Sequence, residues 1–235
     1  MAINLRTHQT AEYIKPCNRT DPKIEDCIRS SFNHLRPYLQ KGIPELQLPP
    51  LEPMRVDNLA MENGNGAVRV RAVFSDVDVR GASNYTVEGV KADVSAYRIE
   101  MTLGLPRIET AGRYEVSGNV LLFPVRSRGD FWAAFHNVTA VARIQGREIV
   151  NNGTNVMKVE RLTVDFTLGK ARFRVRDQLN ANNVLGEAMN RFLNQNWAEI
   201  VAEMKPAATL SIGRHFKSFL NGAFTQVPIT VWLWD

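Results

Sequence analysis

Val68-Arg69-Val70-Arg71-Ala72-Val73-Phe74-Ser75 alternates with a period of two. Val68, Val70, Ala72 and Phe74 share one face of an extended chain, opposed by Arg69, Arg71 and Ser75. Such a stretch is a strand with one buried and one solvated face. The signature extends on both sides, over residues from about 54 to 176. Val94, Ala96, Ile99, Met101 and Leu103 follow, then Tyr114 and Val116, then Val120 to Val125. Phe131 to Ile144 is apolar on both phases. Between Val156 and Leu168 the apolar phase switches, with Met157 and Val159 in one register and Leu162, Val164, Phe166 and Leu168 in the other. One extra residue near Glu160 accounts for the switch, which predicts a β-bulge there. Asn151-Asn152-Gly153 and Gly169-Lys170 are expected to form tight hairpin turns. Strands joined by such short turns run antiparallel, in a strongly twisted sheet.

Helical periodicity flanks this meander. From Asp21 to Gln40, apolar residues at Ile24, Cys27, Ile28, Phe32, Leu35 and Leu39 make one stripe of an amphipathic helix. Asp21-Pro22 fits an N-cap followed by proline at the first helical position, and Pro37 should kink or end the helix in its last turn. Four prolines between Pro44 and Pro53 exclude helix and central strand in the connector. After the meander, Leu179, Val184, Leu185, Ala188, Met189, Phe192, Leu193, Trp197, Ile200, Val201 and Met204 repeat at helical spacing over seven turns. Pro206 is expected to end that helix, and a shorter one should carry Leu210, Phe216, Phe219 and Leu220. The tail from Val227 to Trp234 is apolar and β-prone.

Composition narrows the class. The chain has 235 residues, 44% hydrophobic and 23% charged, which excludes disorder, collagen and coiled coil. No run approaches the ~20 apolar residues of a membrane-spanning helix. A net charge of +5 is too small and dispersed for a nucleic-acid binder. The densest basic stretch, Lys170 to Arg176, places Arg172, Arg174 and Arg176 on one strand face and Phe173 and Val175 on the other. A solvated face is the ordinary outcome, and a docking face for anionic headgroups or an acidic partner is the alternative.

Cys17 and Cys27 are the two cysteines. Their surroundings lack the paired Cys or His of a metal site, which leaves a disulfide or two unrelated buried thiols. Sequons stand at Asn18, Asn84, Asn137 and Asn152, against about two expected by chance, and they favour secretion. Met1 to Pro16 has no apolar core that could serve as a signal peptide. A removed signal, a wrong first exon and a cytosolic protein all fit that fact. No nucleophile elbow, zinc-protease helix, phosphate loop or dinucleotide fingerprint occurs. The four histidines stand far apart, and His136 and Asp130 are too distant along a strand to pair. The residual feature is apolar surface on elements that face one another. A sheet curled around a helix can enclose a cavity for an oily ligand, although for any single residue ordinary core is the simpler role.

Several segments together carry a family resemblance over nearly the whole chain from Cys17. They begin with Cys17 and Cys27 around Asp21-Pro22, then Gly42-Ile43-Pro44-Glu45-Leu46 and Leu51-Glu52-Pro53. Asn152-Gly153 follows in the last long turn. The C-terminal block has Leu185-Gly186, Asn190-Arg191-Phe192-Leu193-Asn194-Gln195-Asn196-Trp197, Glu199-Ile200 and Lys205-Pro206, closed by Phe224 and Val227-Pro228. This pattern resembles the takeout and juvenile hormone-binding protein family of insects. The resemblance implies an α+β fold of the tubular lipid-binding superfamily, in which a highly curved antiparallel sheet wraps a long α-helix and encloses a hydrophobic tunnel. It implies a non-catalytic carrier without metal or cofactor, secreted, with a Cys17–Cys27 disulfide. Having no second cysteine pair places the chain nearer the takeout branch than the haemolymph hormone carriers. Roles in feeding, rhythm, chemosensation or hormone response attach to that branch.

On this basis residues 1–16 are expected to be a flexible segment and residues 17–235 one domain. The expected partner is a small hydrophobic ligand such as a juvenile hormone-like terpenoid or a fatty acid, with no nucleic acid, and the protein is expected to be a monomer. Candidate tunnel-lining residues are Phe74, Trp132, Phe166, Met189, Phe192 and Phe216. The alternative is an interaction protein that docks a membrane or receptor through the basic strand face.

Overall fold

The computed structural model describes residues 12–64, 66, 68–120, 122–178 and 183–235. The short strand β1 (Cys17–Asn18) precedes helix α1 (Ile24–Lys41). The meander comprises β2 (Met54–Asn63), β3 (Val68–Arg80), β4 (Thr86–Asp93), β5 (Arg98–Val120), β6 (Phe123–Asn151), β7 (Thr154–Thr167) and β8 (Lys170–Asp177). Helices α2 (Asn183–Gln195) and α3 (Trp197–Phe224) follow, then the single turn α4 (Ile229–Trp232) and the strand β9 (Leu233–Trp234). Residues 1–11 of the expected flexible segment, and Leu179 of the expected helix, lie outside the described residues. Tyr13 packs edge-on against Tyr38 of α1, with ring centroids 6.1 Å apart.

Seven strands form one antiparallel sheet ordered β2-β3-β5-β6-β7, with β4 alongside β5 and β8 alongside β6. The long strands β5 and β6 are its spine. The edge of β5 pairs first with β4 and then with β3, and that of β6 first with β8 and then with β7. Buried positions on β6 include Ser127 and the adjacent pair Ala133 and Ala134, then only even-numbered Val138, Ala140, Ala142 and Ile144, while the inward aromatic Phe131 is odd-numbered. The inward face thus changes phase partway along the strand. The change falls where the ladder skips Pro106 and Asn137. Pro106 has no N–H to give, and Asn137 takes a φ of 51°.

The expected bulge is present. Gln145 pairs with Arg161 and Gly146 with Val159, so Glu160 is the extra residue. The turn at Asn152-Gly153 is also as expected, with φ of 49° and 76° closing a two-residue hairpin. Gly169-Lys170 makes no hairpin. β7 and β8 lie end to end along the same edge of β6, and the Gly169 N–H donates to the His136 carbonyl at 2.9 Å. A glycine between two alternating runs marks a strand break as readily as a turn.

One helix departs from the proline rules. Asp21 and Pro22 form the turn leading into α1: Asp21 Oδ1 accepts from the Lys23 N–H at 2.8 Å, and the helix starts at Ile24. α1 continues through Pro37 to Lys41. Pro206 does not end its helix and lies inside the 28-residue α3. The break falls ten residues earlier. There the N–H and side-chain amide of Asn196 both donate to the Phe192 carbonyl, at 3.0 and 2.9 Å. α3 persists because it is held by the sheet along its length, which outweighs the one hydrogen bond that proline removes.

α3 packs against both β2 and β7, the first and last strands of the sheet order. The sheet must therefore curl until its two ends reach one helix. Ser211 Oγ donates to the Ala60 carbonyl of β2 at 2.8 Å, and Lys205 Nζ pairs with Asp165 Oδ1 of β7 at 2.7 Å. One end is closed by the core of Cys17, Ile28, Ile99, Met101, Ile144, Met157, Val159, Ile229 and Leu233. Here the Cys17–Cys27 disulfide forms, and β1 pairs in parallel with β9.

Candidate ligand-binding site

The open edges of the curled sheet are finished by asparagines. Asn221 of α3 accepts from the Val159 N–H at 2.8 Å and donates to its carbonyl at 3.0 Å. Asn190 and Asn194 of α2 do the same for Val175 and Phe173 of β8. Asn33 of α1 does so for Val87 of β4. A primary amide presents one donor and one acceptor side by side, matching a strand residue whose N–H and C=O point to the same edge. The four clamps satisfy backbone groups that the ladder leaves unpaired and hold three helices at fixed heights on the sheet. Asn190 and Asn194 stand in the C-terminal block that carries the family resemblance. Helical periodicity gives no sign of their role, since it reads them as solvent positions. Glu52 of the Leu51-Glu52-Pro53 segment is similarly explained: its carboxylate accepts from the Gly81 N–H and from Ser83 Oγ.

Of the 28 residues of α3, only Gly213 is fully buried. A β-carbon there would stand 3.0 Å from the Leu162 carbonyl, so a larger residue would push helix and strand apart here. Elsewhere the apolar residues of α3 are partly covered, and Leu210 is 62% exposed. The helix spans the curled sheet without being sealed into it. Beside Gly213 a groove of about 320 Å³ opens between α3 and β7, lined by Leu162, Val164 and Leu210, with Thr163 and Thr209. Arg161, Arg214, Lys217 and Glu160 stand at the same groove. This volume is at the lower end of the range for small-molecule sites.

Two candidate lining residues come together. Phe74 meets Phe131 edge to face at 5.0 Å, and both pack with Phe216 and Phe219 of α3 around Met54, Val56, Val77 and Val79. Phe166 shares the face of Ala140, its partner on β6, with Lys205 Nζ 5.7 Å from its ring centre. Met189 and Phe192 lie one turn apart on α2, half-buried. Trp132 is on the other side of the sheet. Its ladder partners Ala111 and Arg174 are both exposed, and its Nε1 donates to Glu109 at 3.3 Å. Phe131 occupies the inward place instead. The run around them is apolar on both phases, so alternation could not choose between the two.

On that outer face the basic alternation of β8 holds: Arg172, Arg174 and Arg176 are exposed, while Phe173 and Val175 are half-buried. A cleft of about 550 Å³ there is lined by Arg107, Trp132, His136, Asn137, Lys170 and Arg172. Arg107, His136 and Lys170 face each other across three adjacent strands. Among the described residues no group of His, Cys, Asp and Glu could hold a metal ion, and no helix is long and apolar enough to cross a membrane.

The architecture is a curled antiparallel sheet closed by a long C-terminal helix. The chain superposes on the crystal structure of takeout 1 from Epiphyas postvittana with a TM-score of 0.78 at 22% identity, covering 94% of this chain and 99% of that one. Residues 1–233 match the haemolymph juvenile hormone binding protein family, and the chain belongs to it. The circadian clock-controlled protein daywake of Drosophila yakuba is 21% identical over 234 residues, covering 96% of this chain and 90% of that protein. Daywake of Drosophila melanogaster is 19% identical over the same length.

Proposed function

We propose that the protein is a secreted, non-catalytic carrier that holds a small hydrophobic ligand between α3 and the concave face of the sheet. The observation that carries this is the incomplete burial of α3, a long helix joined to both ends of the sheet order yet fully buried at one residue. An apolar molecule laid beside it leaves water, gaining roughly 25 cal/mol per Å² buried. The lining is assigned to Phe74, Phe166, Met189, Phe192 and Phe216, with Phe131 in place of Trp132. Fatty acids and terpenoids fit the apolar lining, and family membership supports binding as the activity. The test is organic extraction of protein purified from insect cells, followed by mass spectrometry, together with saturable displacement of a fluorescent lipid probe. A stoichiometric lipid-like molecule is the expected result. Absence of both extract and probe binding overturns the proposal.

The outer basic cleft favours a second reading, in which the same molecule docks an anionic membrane surface or receptor through Arg172, Arg174 and Arg176. Charge reversal at these three positions is then expected to abolish partner binding while sparing probe binding. Unchanged cellular activity would reduce them to solvated surface.

A further inference from the structure

The groove between α3 and β7 combines an apolar floor with basic side chains. We propose that it is a head-group site, and that the preferred ligand is a single-chain lipid with an acidic head. This rests on the carrier function proposed above and specifies its ligand.

The groove lies between two latches. On one side Asn221 clamps Val159, and on the other Lys205 pairs with Asp165. Between them β7 has no strand on its outer edge, and Gly213 of α3 lies against the Leu162 carbonyl. The floor is apolar, formed by Leu162, Val164 and Leu210. Leu210 is 62% exposed, an uncovered apolar side chain within a concave site. The rim carries Arg161, Arg214 and Lys217. None of these three makes an ion pair among the described residues, whereas Glu160, the only carboxylate in the lining, is already bound by Arg147 at 2.5 Å. Three uncompensated cations thus surround an apolar slot. A chain lying on Leu162, Val164 and Leu210 would bring an anionic head to the guanidinium and ammonium groups, which bind carboxylate or phosphate with charge-assisted hydrogen bonds. A neutral ester or hydrocarbon gains only the floor.

The test uses the full chain, delipidated, with a neutral fluorescent probe (N-phenylnaphthylamine) displaced by palmitic acid, lysophosphatidic acid, methyl palmitate or hexadecanol. Both acidic lipids are expected to displace the probe about tenfold more tightly than the neutral ones. That preference should shrink at high salt, where exposed charges are screened. The double variant Arg214→Glu with Lys217→Glu should lose the preference for acidic over neutral lipids. Salt titration of the unaltered protein gives the same information without any variant. Equal affinity for acid and ester, or a preference that survives both salt and charge reversal, overturns the head-group site while leaving a carrier for neutral ligands. Failure of the probe and every lipid to bind overturns the carrier function and the head-group site together.

Discussion

Asn221 shows how much a single side chain contributes to this architecture. Its amide is the hydrogen-bonding partner from α3 for both backbone groups of Val159, a residue with no exposed surface. Asn221→Ala leaves a buried donor and acceptor unsatisfied and is expected to cost about 1–3 kcal/mol in urea unfolding, with faster hydrogen exchange at the Val159 amide. His215, also on α3, is half-buried against Phe216. Burial lowers its pKa below the usual imidazole value, partly opposed by the Asp57 carboxylate. Because the unfolded chain then binds the proton more readily, the contribution of His215 to stability is present above about pH 6.5 and is lost as pH falls below it. Thermal unfolding followed from pH 7.5 to 5 should show this decline, and His215→Asn should flatten it.

At the scale of elements, the strands were legible because alternation depends on which side chains meet water. The bulge at Glu160 and the turn at Asn152-Gly153 could be read for the same reason: each changes the alternation or demands a residue tolerant of positive φ. Helix ends were less legible. Pro206 carries a local penalty, but contacts of α3 with β2 and β7, distant in sequence, decide whether the helix continues. The strand break at Gly169 and the outward position of Trp132 depend on which strand lies alongside, and no local pattern contains that. The cysteine pair was readable as a disulfide or as two thiols, and the fold brings them together. With the cysteines at a sequence separation of 10, loop-closure entropy predicts that Cys17→Ser with Cys27→Ser lowers stability by about 3 kcal/mol, measured against the oxidised protein by denaturant titration.

For the whole molecule, the proposed carrier function makes ligand and stability one equilibrium. A ligand that binds the folded chain and not the unfolded one stabilises it by about 2.7 kcal/mol at a hundredfold excess over Kd. Delipidated protein is therefore expected to melt several degrees lower than protein refilled with a bound lipid, in a differential scanning measurement at fixed protein concentration. An unshifted melting temperature at saturating lipid would mean that the concave face holds no ligand. The groove itself was only partly visible in the sequence. Leu162 and Val164 announce an inward strand face, but the cations Arg161, Arg214 and Lys217 come from two elements about fifty residues apart and converge only when α3 lies along β7.

The parallel pairing of β1 with β9 has a mechanical consequence. Cys17 stands opposite Leu233 and Asn18 opposite Trp234, so the two ends of the described chain meet in one small ladder. Tension applied between the termini pulls these parallel strands lengthwise past each other, loading their hydrogen bonds in shear together. Once that ladder parts, the load on the leading side reaches Cys17, and the disulfide passes it directly to Cys27 inside α1, bypassing the segment between them. The fold is fastened like a belt, with its buckle at the end that holds the disulfide.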